Sequence, residues 1–293
     1  MKRVAVFPIL VVAGLVAGCG TVVSATREFA FTQPWENYTR VAVKVRNGAI
    51  ELRTAAGEQI RISGTKRVGG ITLAEAEQNL DRLTLTAGGD ASDPDTFVVE
   101  LQVPEDLRNK SAGANLLIEV PKPCAARLVT SNGTIRVQDM SGEVVAESSN
   151  GSIYVKDVTG TVRAETSNGR IDLKQVAGDV DAASSNGSIV ADGVGGACVL
   201  RTSNGDIRLI SGSSAADRLE MRTSNGGIHA TLPSALAAEL KLVTSNGRVR
   251  VSLPEAAMKM VEAARSRFSA VLNGGGGLVV AETSNGSITV DAR

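Results

Sequence analysis

Between residues 130 and 293 apolar residues fall in short alternating runs whose phase flips at regular intervals. Ile153 and Val155, Ile171 and Leu173, and Ile189 and Ala191 keep one parity, as two alternate positions of a strand must if one face is buried. Val144 and Ala146, Val162 and Ala164, and Val180 and Ala182 keep the other. A slip of one residue swaps every side chain between faces, so each flip marks a corner in the chain. One flip coincides with a Ser-Asn-Gly triplet and the other lies near a second glycine, at 142, 160, 178 and 196. The pattern predicts rungs with at least two strands and two corners.

The corners form a ladder. Asn132-Gly133, Asn150-Gly151, Asn168-Gly169, Asn186-Gly187, Asn204-Gly205, Asn225-Gly226, Asn246-Gly247 and Asn285-Gly286 each follow a serine, itself preceded by Thr or Ser. The gaps are 18, 18, 18, 18, 21, 21 and 39 residues, and 39 reads as one rung of 18 plus one of 21. Self-similarity at a fixed period is the mark of a stacked array. The expected fold class is all-β: a single-chain parallel β-solenoid of about 18-residue rungs, with like residues stacked at about 4.8 Å. Asn-Gly is expected to supply the positive φ of a tight corner, and asparagines on successive rungs to bond amide to amide. A competing reading makes each Asn-Gly a type I′ turn in an antiparallel sandwich. Repetition of like on like fits parallel coils better.

Asn47-Gly48-Ala49-Ile50-Glu51-Leu52 is a degenerate earlier copy, with Ile50 and Leu52 in the two buried slots. Thr72 and Glu75 form a capping box before Leu73, Ala76, Leu80 and Leu83, which predicts a short amphipathic helix. A second helix is expected from Pro254 to about Phe268, so the solenoid carries two helical insertions. The expected organisation is a leader over 1–18, a tether over 19–39, irregular rungs over 40–131 and the regular Ser-Asn-Gly solenoid over 132–293.

The N-terminus carries an address. Lys2 and Arg3 precede an apolar stretch from Val4 to Val16, too short to span a bilayer as a permanent helix, followed by Ala17-Gly18-Cys19. This ending resembles the lipobox of bacterial lipoproteins, which implies cleavage before Cys19 and acylation of that cysteine. Gly20 after the cysteine favours the outer membrane under the enterobacterial sorting pattern. The expected location is the cell envelope, with the membrane as a partner through the lipid.

Little else promises chemistry. Lys plus Arg and Asp plus Glu are equal at 31 each, and no basic stripe points to nucleic acid. Aromatic residues make up 3% of the chain, so burial must come from many small aliphatic side chains, and no aromatic platform for sugar rings stands out. His229, the sole histidine, lies between inward Ile228 and Ala230 and is expected to face solvent. Asp139 and Asp157 recur one rung apart, but Gln175 and Gly193 follow them, so no carboxylate ladder for a cation is kept. Cys124 and Cys198 are expected to stay unpaired, Cys198 as a small apolar side chain in a valine slot. No catalytic residue, metal site or cofactor is expected.

The rungs Thr166-Ser167-Asn168-Gly169-Arg170-Ile171-Asp172-Leu173 and Thr244-Ser245-Asn246-Gly247-Arg248-Val249-Arg250-Val251 resemble the bacterial "putative adhesin" β-strand-repeat family, whose function is unknown. Pro233 and Pro254 after strand ends and the run Leu272-Asn273-Gly274-Gly275-Gly276 add to the likeness, which covers roughly residues 40 to 293. It implies a β-solenoid at the envelope, with adhesion or a stress-related scaffold as its role, and carries over no catalytic residue. The expected function is therefore a non-catalytic lipoprotein whose surface binds an unknown protein or envelope partner. The alternatives are a self-associating scaffold and a polysaccharide-active solenoid enzyme.

Overall fold

The computed structural model describes residues 9–11, 23–214, 217–254 and 258–293. The chain divides into two compact units, Met1–Met140 and Ser141–Arg293. Cys19, like most of the expected leader, lies outside the described residues.

The second unit holds the regular rungs. Its strands are β11 (Val144–Asn150), β12 (Ile153–Val158), β13 (Val162–Thr166), β14 (Ile171–Val176), β15 (Val180–Ser184), β16 (Ile189–Val194), β17 (Cys198–Asn204), β18 (Ile207–Ser211), β19 (Arg218–Asn225), β20 (Ile228–Leu232), β21 (Ala238–Asn246), β22 (Val249–Ser252), β23 (Met258–Ala263), β24 (Arg267–Leu272), β25 (Gly277–Asn285) and β26 (Ile288–Ala292). One sheet runs β12-β14-β16-β18-β20-β26-β22, the other β11-β13-β15-β17-β19-β25-β21-β24-β23. Along the first, Ile153, Ile171, Ile189, Ile207, Ile228, Ile288 and Val249 are parallel partners in unbroken register. The six isoleucines are at most 2% exposed, while Val249, in the end strand, is half-buried. Opposite them Val144, Val162, Val180, Cys198, Leu219, Val279 and Leu240 line the second sheet, also at most 2% exposed. Burying an aliphatic side chain of this size contributes about 1.5–3 kcal/mol, so a thin core succeeds by repetition.

The flip near the second glycine has a definite cause. Asp139, Asp157 and Gln175 adopt φ of 56°, 54° and 53°, and Gly193 has 73°. One left-handed residue turns the strand over, so that Ile153, Val155 and Val158 all point inward although their spacing changes from two to three. Asp and Gly tolerate that conformation best, which accounts for their recurrence at this position without any metal.

The order of rungs departs from the order of the chain. The 39 residues from Asn246 to Asn285 are not two stacked rungs. The last rung, β25 with β26, lies between the rung of β19 and β20 and the rung of β21 and β22. The expected second helix is absent from the described part of its range: β23 and β24 are antiparallel strands, with β24 paired to β21. Helix-forming residues such as Met258, Met260 and Ala263 yield here because β24, laid along the edge of β21, has an outer edge whose N–H and C=O groups need partners.

The first unit contains β1 (Ile9–Val11), β2 (Val23–Pro34), β3 (Arg40–Asn47), β4 (Ile50–Thr54), β5 (Gln59–Gly70), helix α1 (Leu73–Asp81), β6 (Thr84–Gly89), β7 (Thr96–Gln102), β8 (Gly113–Val120), β9 (Ala125–Asn132) and β10 (Ile135–Met140), with a 3-10 turn at Glu105–Leu107. Its sheets run β1-β2-β5-β8-β4-β10 and β9-β3-β7-β6. The rung of β3 and β4 is flanked by parallel neighbours on both sides, β9 and β10 on one and β7 and β8 on the other. Here too a terminal rung of the coil occupies an inner slot. Residues 23–34, expected as part of a tether, instead form β2, in twelve antiparallel pairs with β5, because buried Ala25 and Phe29 give the segment an inward face. Helix α1 is capped as expected: the Thr72 hydroxyl accepts from the Glu75 N–H at 3.2 Å, and the Glu75 carboxylate accepts from the Ile71 N–H at 2.8 Å. Ala76 and Leu80 are buried, but Leu73 is 40% and Ile71 76% exposed.

The left-handed position supplies a test. Gln175→Val, which puts a β-branched residue at positive φ, should lower stability by about 1–2 kcal/mol, whereas Gln175→Gly should be neutral or slightly stabilising. Urea unfolding of the two variants beside the parent measures the difference, and an equal loss in both would contradict the backbone explanation.

Candidate functional site

The residues that the sequence singles out converge on one edge of each coil. Asn168 donates its side-chain amide to the Asn150 side-chain carbonyl at 2.9 Å, Asn186 to Asn168 at 2.9 Å, and Asn204 to Asn186 at 2.8 Å. The ladder continues from Asn225 to Asn204, from Asn285 to Asn225 and from Asn246 to Asn285, each at 2.9 Å. In the first unit Asn132 donates to Asn47 at 2.7 Å. The hydroxyl two residues before each asparagine serves the same stack. Thr166 donates to the Gly151 carbonyl at 2.9 Å, Ser184 to Gly169 at 3.1 Å, and Thr202 to Gly187 at 2.9 Å.

Glycine is required here for a reason other than the expected one. Gly169, Gly187, Gly205, Gly226, Gly247 and Gly286 do not have positive φ. Each instead rests against the carbonyl oxygen of the glycine in the rung below. A Cβ on Gly187 would lie 1.9 Å from the Gly169 oxygen, and one on Gly286 1.9 Å from the Gly226 oxygen. Any side chain would therefore force the rungs apart. The same contacts follow the spatial order of the rungs, with Gly247 resting on Gly286.

The outward positions form lanes across the sheets. Tyr154, Asp172, Val190, Arg208, His229 and Thr289 stand side by side in register. His229 faces outward, with its Nε2 3.5 Å from an Asp291 carboxylate oxygen. Charges of both signs are paired on this surface: Arg170 lies 2.9 Å from Asp172, and Arg201 3.3 Å from Asp181.

Two clusters escape a reading of the sequence. On the outer face of the second sheet, Glu220 lies between Val199 and Val280 in register, its side chain fully covered by Arg201, Arg218 and Arg222. Burial raises its pKa, but the hydrogen bond from Arg218 and the three guanidinium charges outweigh this and hold it below the ordinary value of 4.5. In the first unit Trp35, Tyr38 and Phe97 form a cluster with ring centroids 5.2–6.1 Å apart. Phe97 is buried and the other two are half-buried, so the trio extends the core at the edge of the sheet rather than offering an open platform. Neither cluster has a period, which is the signal that exposes the corner residues. Cys124 and Cys198 are unpaired and buried, and burial pushes each thiol up to about 12.

Stacked parallel strands, with asparagine on asparagine and glycine on glycine, define the second unit as a β-solenoid of Ser-Asn-Gly rungs, while the first unit adds antiparallel strands to its parallel rungs. The Toastrack DUF4097 family matches residues 38–291, and the chain belongs to that family. No curated protein matches. Among solved structures, a protein from Bacteroides fragilis described as a "putative adhesin" is similar at 8% identity and a TM-score of 0.45, over 91% of this chain and 97% of that one. A "putative cell adhesion protein" from Clostridium sporogenes is similar at 9% identity and a TM-score of 0.23, over 92% of this chain and all of that one.

Two measurements probe the corner and the covered carboxylate. Gly187→Ala should destabilise by about 3 kcal/mol through the backbone collision, and Asn186→Ala by about 1–2 kcal/mol through two lost amide bonds. Denaturant titration should give that ranking, and the reverse ranking would refute the steric account. Glu220 has a depressed folded pKa, so its contribution is present above the unfolded carboxylate value and is lost as pH falls through the folded one. Glu220→Gln should therefore flatten the loss of stability below about pH 4.5, read from melting temperatures across an acid series.

Proposed function

We propose that the chain is a non-catalytic envelope lipoprotein, anchored through acylated Cys19, that presents the outward lanes of its solenoid to an envelope or cell-surface partner. One observation carries this reading. The most repeated polar groups of the chain, the Asn amides, the Thr and Ser hydroxyls and the Gly carbonyls, bond rung to rung, so the motif serves the scaffold. The surface that varies is the set of lanes, where successive residues such as Tyr154, Asp172, Val190 and Arg208 stand about 4.8 Å apart on a stiff sheet. A regular array of mixed polar, apolar and charged side chains suits recognition by shape and electrostatic complementarity. Adhesion is one such use, and an outer-membrane location fits the residue after Cys19.

A self-associating scaffold is less well supported. In each unit one sheet ends on an antiparallel strand, β6 or β23, and β23 is bulged between Met260 and Glu262. Bulges and antiparallel end strands discourage continuation of a parallel stack by another copy.

Affinity capture from envelope extracts tests the proposal, with the mature chain carrying Cys19→Ser as bait. Tyr154→Ala combined with Arg208→Ala should cut recovery of the partner about tenfold, at unchanged circular dichroism, if these residues include an anchor worth 1.4 kcal/mol or more. Undiminished recovery from this variant and from matching variants of the opposite sheet (Glu165→Ala with Arg201→Ala) would defeat the reading.

A further inference from the structure

After β1 the described chain resumes at Val23, and Val23 is the register partner of Gly70. The next residue, Ile71, is 76% exposed, the most exposed of the large apolar side chains among the described residues, and Leu73 follows at 40%. Their exposure is not an accident of a loose loop. The Ile71 N–H is held by the Glu75 carboxylate, Asn79 donates to the Gly69 carbonyl at 3.2 Å, and the Gly69 N–H donates to the Lys110 carbonyl at 2.7 Å. Gly70 itself is wedged under α1, where a Cβ would lie 2.6 Å from the Ala76 nitrogen. A rigid turn thus presents two aliphatic side chains outward, with exposed Arg67 four residues before Ile71.

Chain length then decides what lies opposite. Four Cα–Cα steps join Cys19 to Val23, a reach of at most about 14 Å. Directly paired antiparallel residues have Cα atoms about 5 Å apart, so Ile71 lies within about 25 Å of the acylation point, less than the thickness of a bilayer's hydrocarbon core. We infer that the turn of Ile71 and Leu73 is a membrane-contacting surface: it seats on the headgroup layer of the bilayer that holds the Cys19 lipid, with Arg67 beside anionic headgroups. This rests on the acylation of Cys19 proposed above. Two aliphatic residues would not bind a membrane unaided. Tethered within a few tens of ångströms of it, they need only favour one orientation, because the anchor supplies the effective concentration.

The test uses the full chain, processed in its host and reconstituted into vesicles of phosphatidylethanolamine and phosphatidylglycerol. Ile71→Cys and, separately, Glu58→Cys carry an environment-sensitive thiol dye. Glu58 stands at the far end of β5, on the order of 40 Å from Gly70, and is exposed. Cys124 and Cys198, buried and protonated, should not compete for the dye. The dye at position 71 should be shielded from aqueous iodide and quenched by lipids brominated along the acyl chain, and the dye at 58 should show the reverse. With the dye moved to Leu73→Cys, adding Ile71→Glu should restore iodide quenching severalfold while the protein stays in the membrane fraction. Mass spectrometry of the N-terminal peptide separates the two claims. An acylated Cys19 with equal iodide quenching at 71 and 58 overturns the contact surface alone, whereas an unacylated N-terminus removes the anchor and the surface together.

Discussion

The approach on which the coil depends is glycine on glycine at the Ser-Asn-Gly corner. Parallel strands sit about 4.8 Å apart only if nothing at the corner keeps them farther. With the carbonyl oxygen of one glycine lying where the Cβ of the next would be, the corner closes to that distance. The amide ladder and the Thr or Ser hydroxyls then bond across a gap that glycine has set. Removing any one hydrogen bond weakens the stack, whereas widening the corner would put every pair above and below out of reach. The corner therefore acts as a spacer first and as a source of hydrogen bonds second.

From that spacing the rest follows at several levels. Registered rungs bring Ile to Ile and Val to Val, so small aliphatic residues make a continuous core without aromatic bulk. The left-handed residue in each of the four 18-residue rungs lets a strand contribute three inward side chains instead of two. The outward positions, relieved of any part in the core, can vary between Tyr154, Asp172, Val190 and Arg208 with no change in backbone. Scaffold and display surface are thus separated within a period of eighteen residues.

How legible this was depended on periodicity. The buried slots at Ile153, Ile171 and Ile189 and the amide ladder recur at a constant interval, and they lie where the pattern places them. The reason for glycine was misjudged, since a sequence shows that a side chain is absent but not whether φ or a neighbouring carbonyl demands it. Rung order could not be read either, because near-identical rungs can dock on one another in any order. The segment Met258–Ala263 looks helical by local preference and becomes a strand because β24, its partner, covers the edge of β21. Glu220 and its three arginines come together through sheet register across two rungs, with no repeat to announce them. Acylation of Cys19 rests on the resemblance of residues 16–19 to a lipobox, and that residue lies outside the described structure.

The placement of β25 and β26 between two earlier rungs bears on how the polypeptide is finished. A coil wound strictly in sequence would finish on a rung held along one side, free to peel. Here residues 277–292 are gripped along both sides, so traction on the chain beyond them must shear two rows of backbone bonds together. The same arrangement orders assembly: the slot between β19 and β21 can be filled only once residues 277–285 have been made, after both of the strands that flank it.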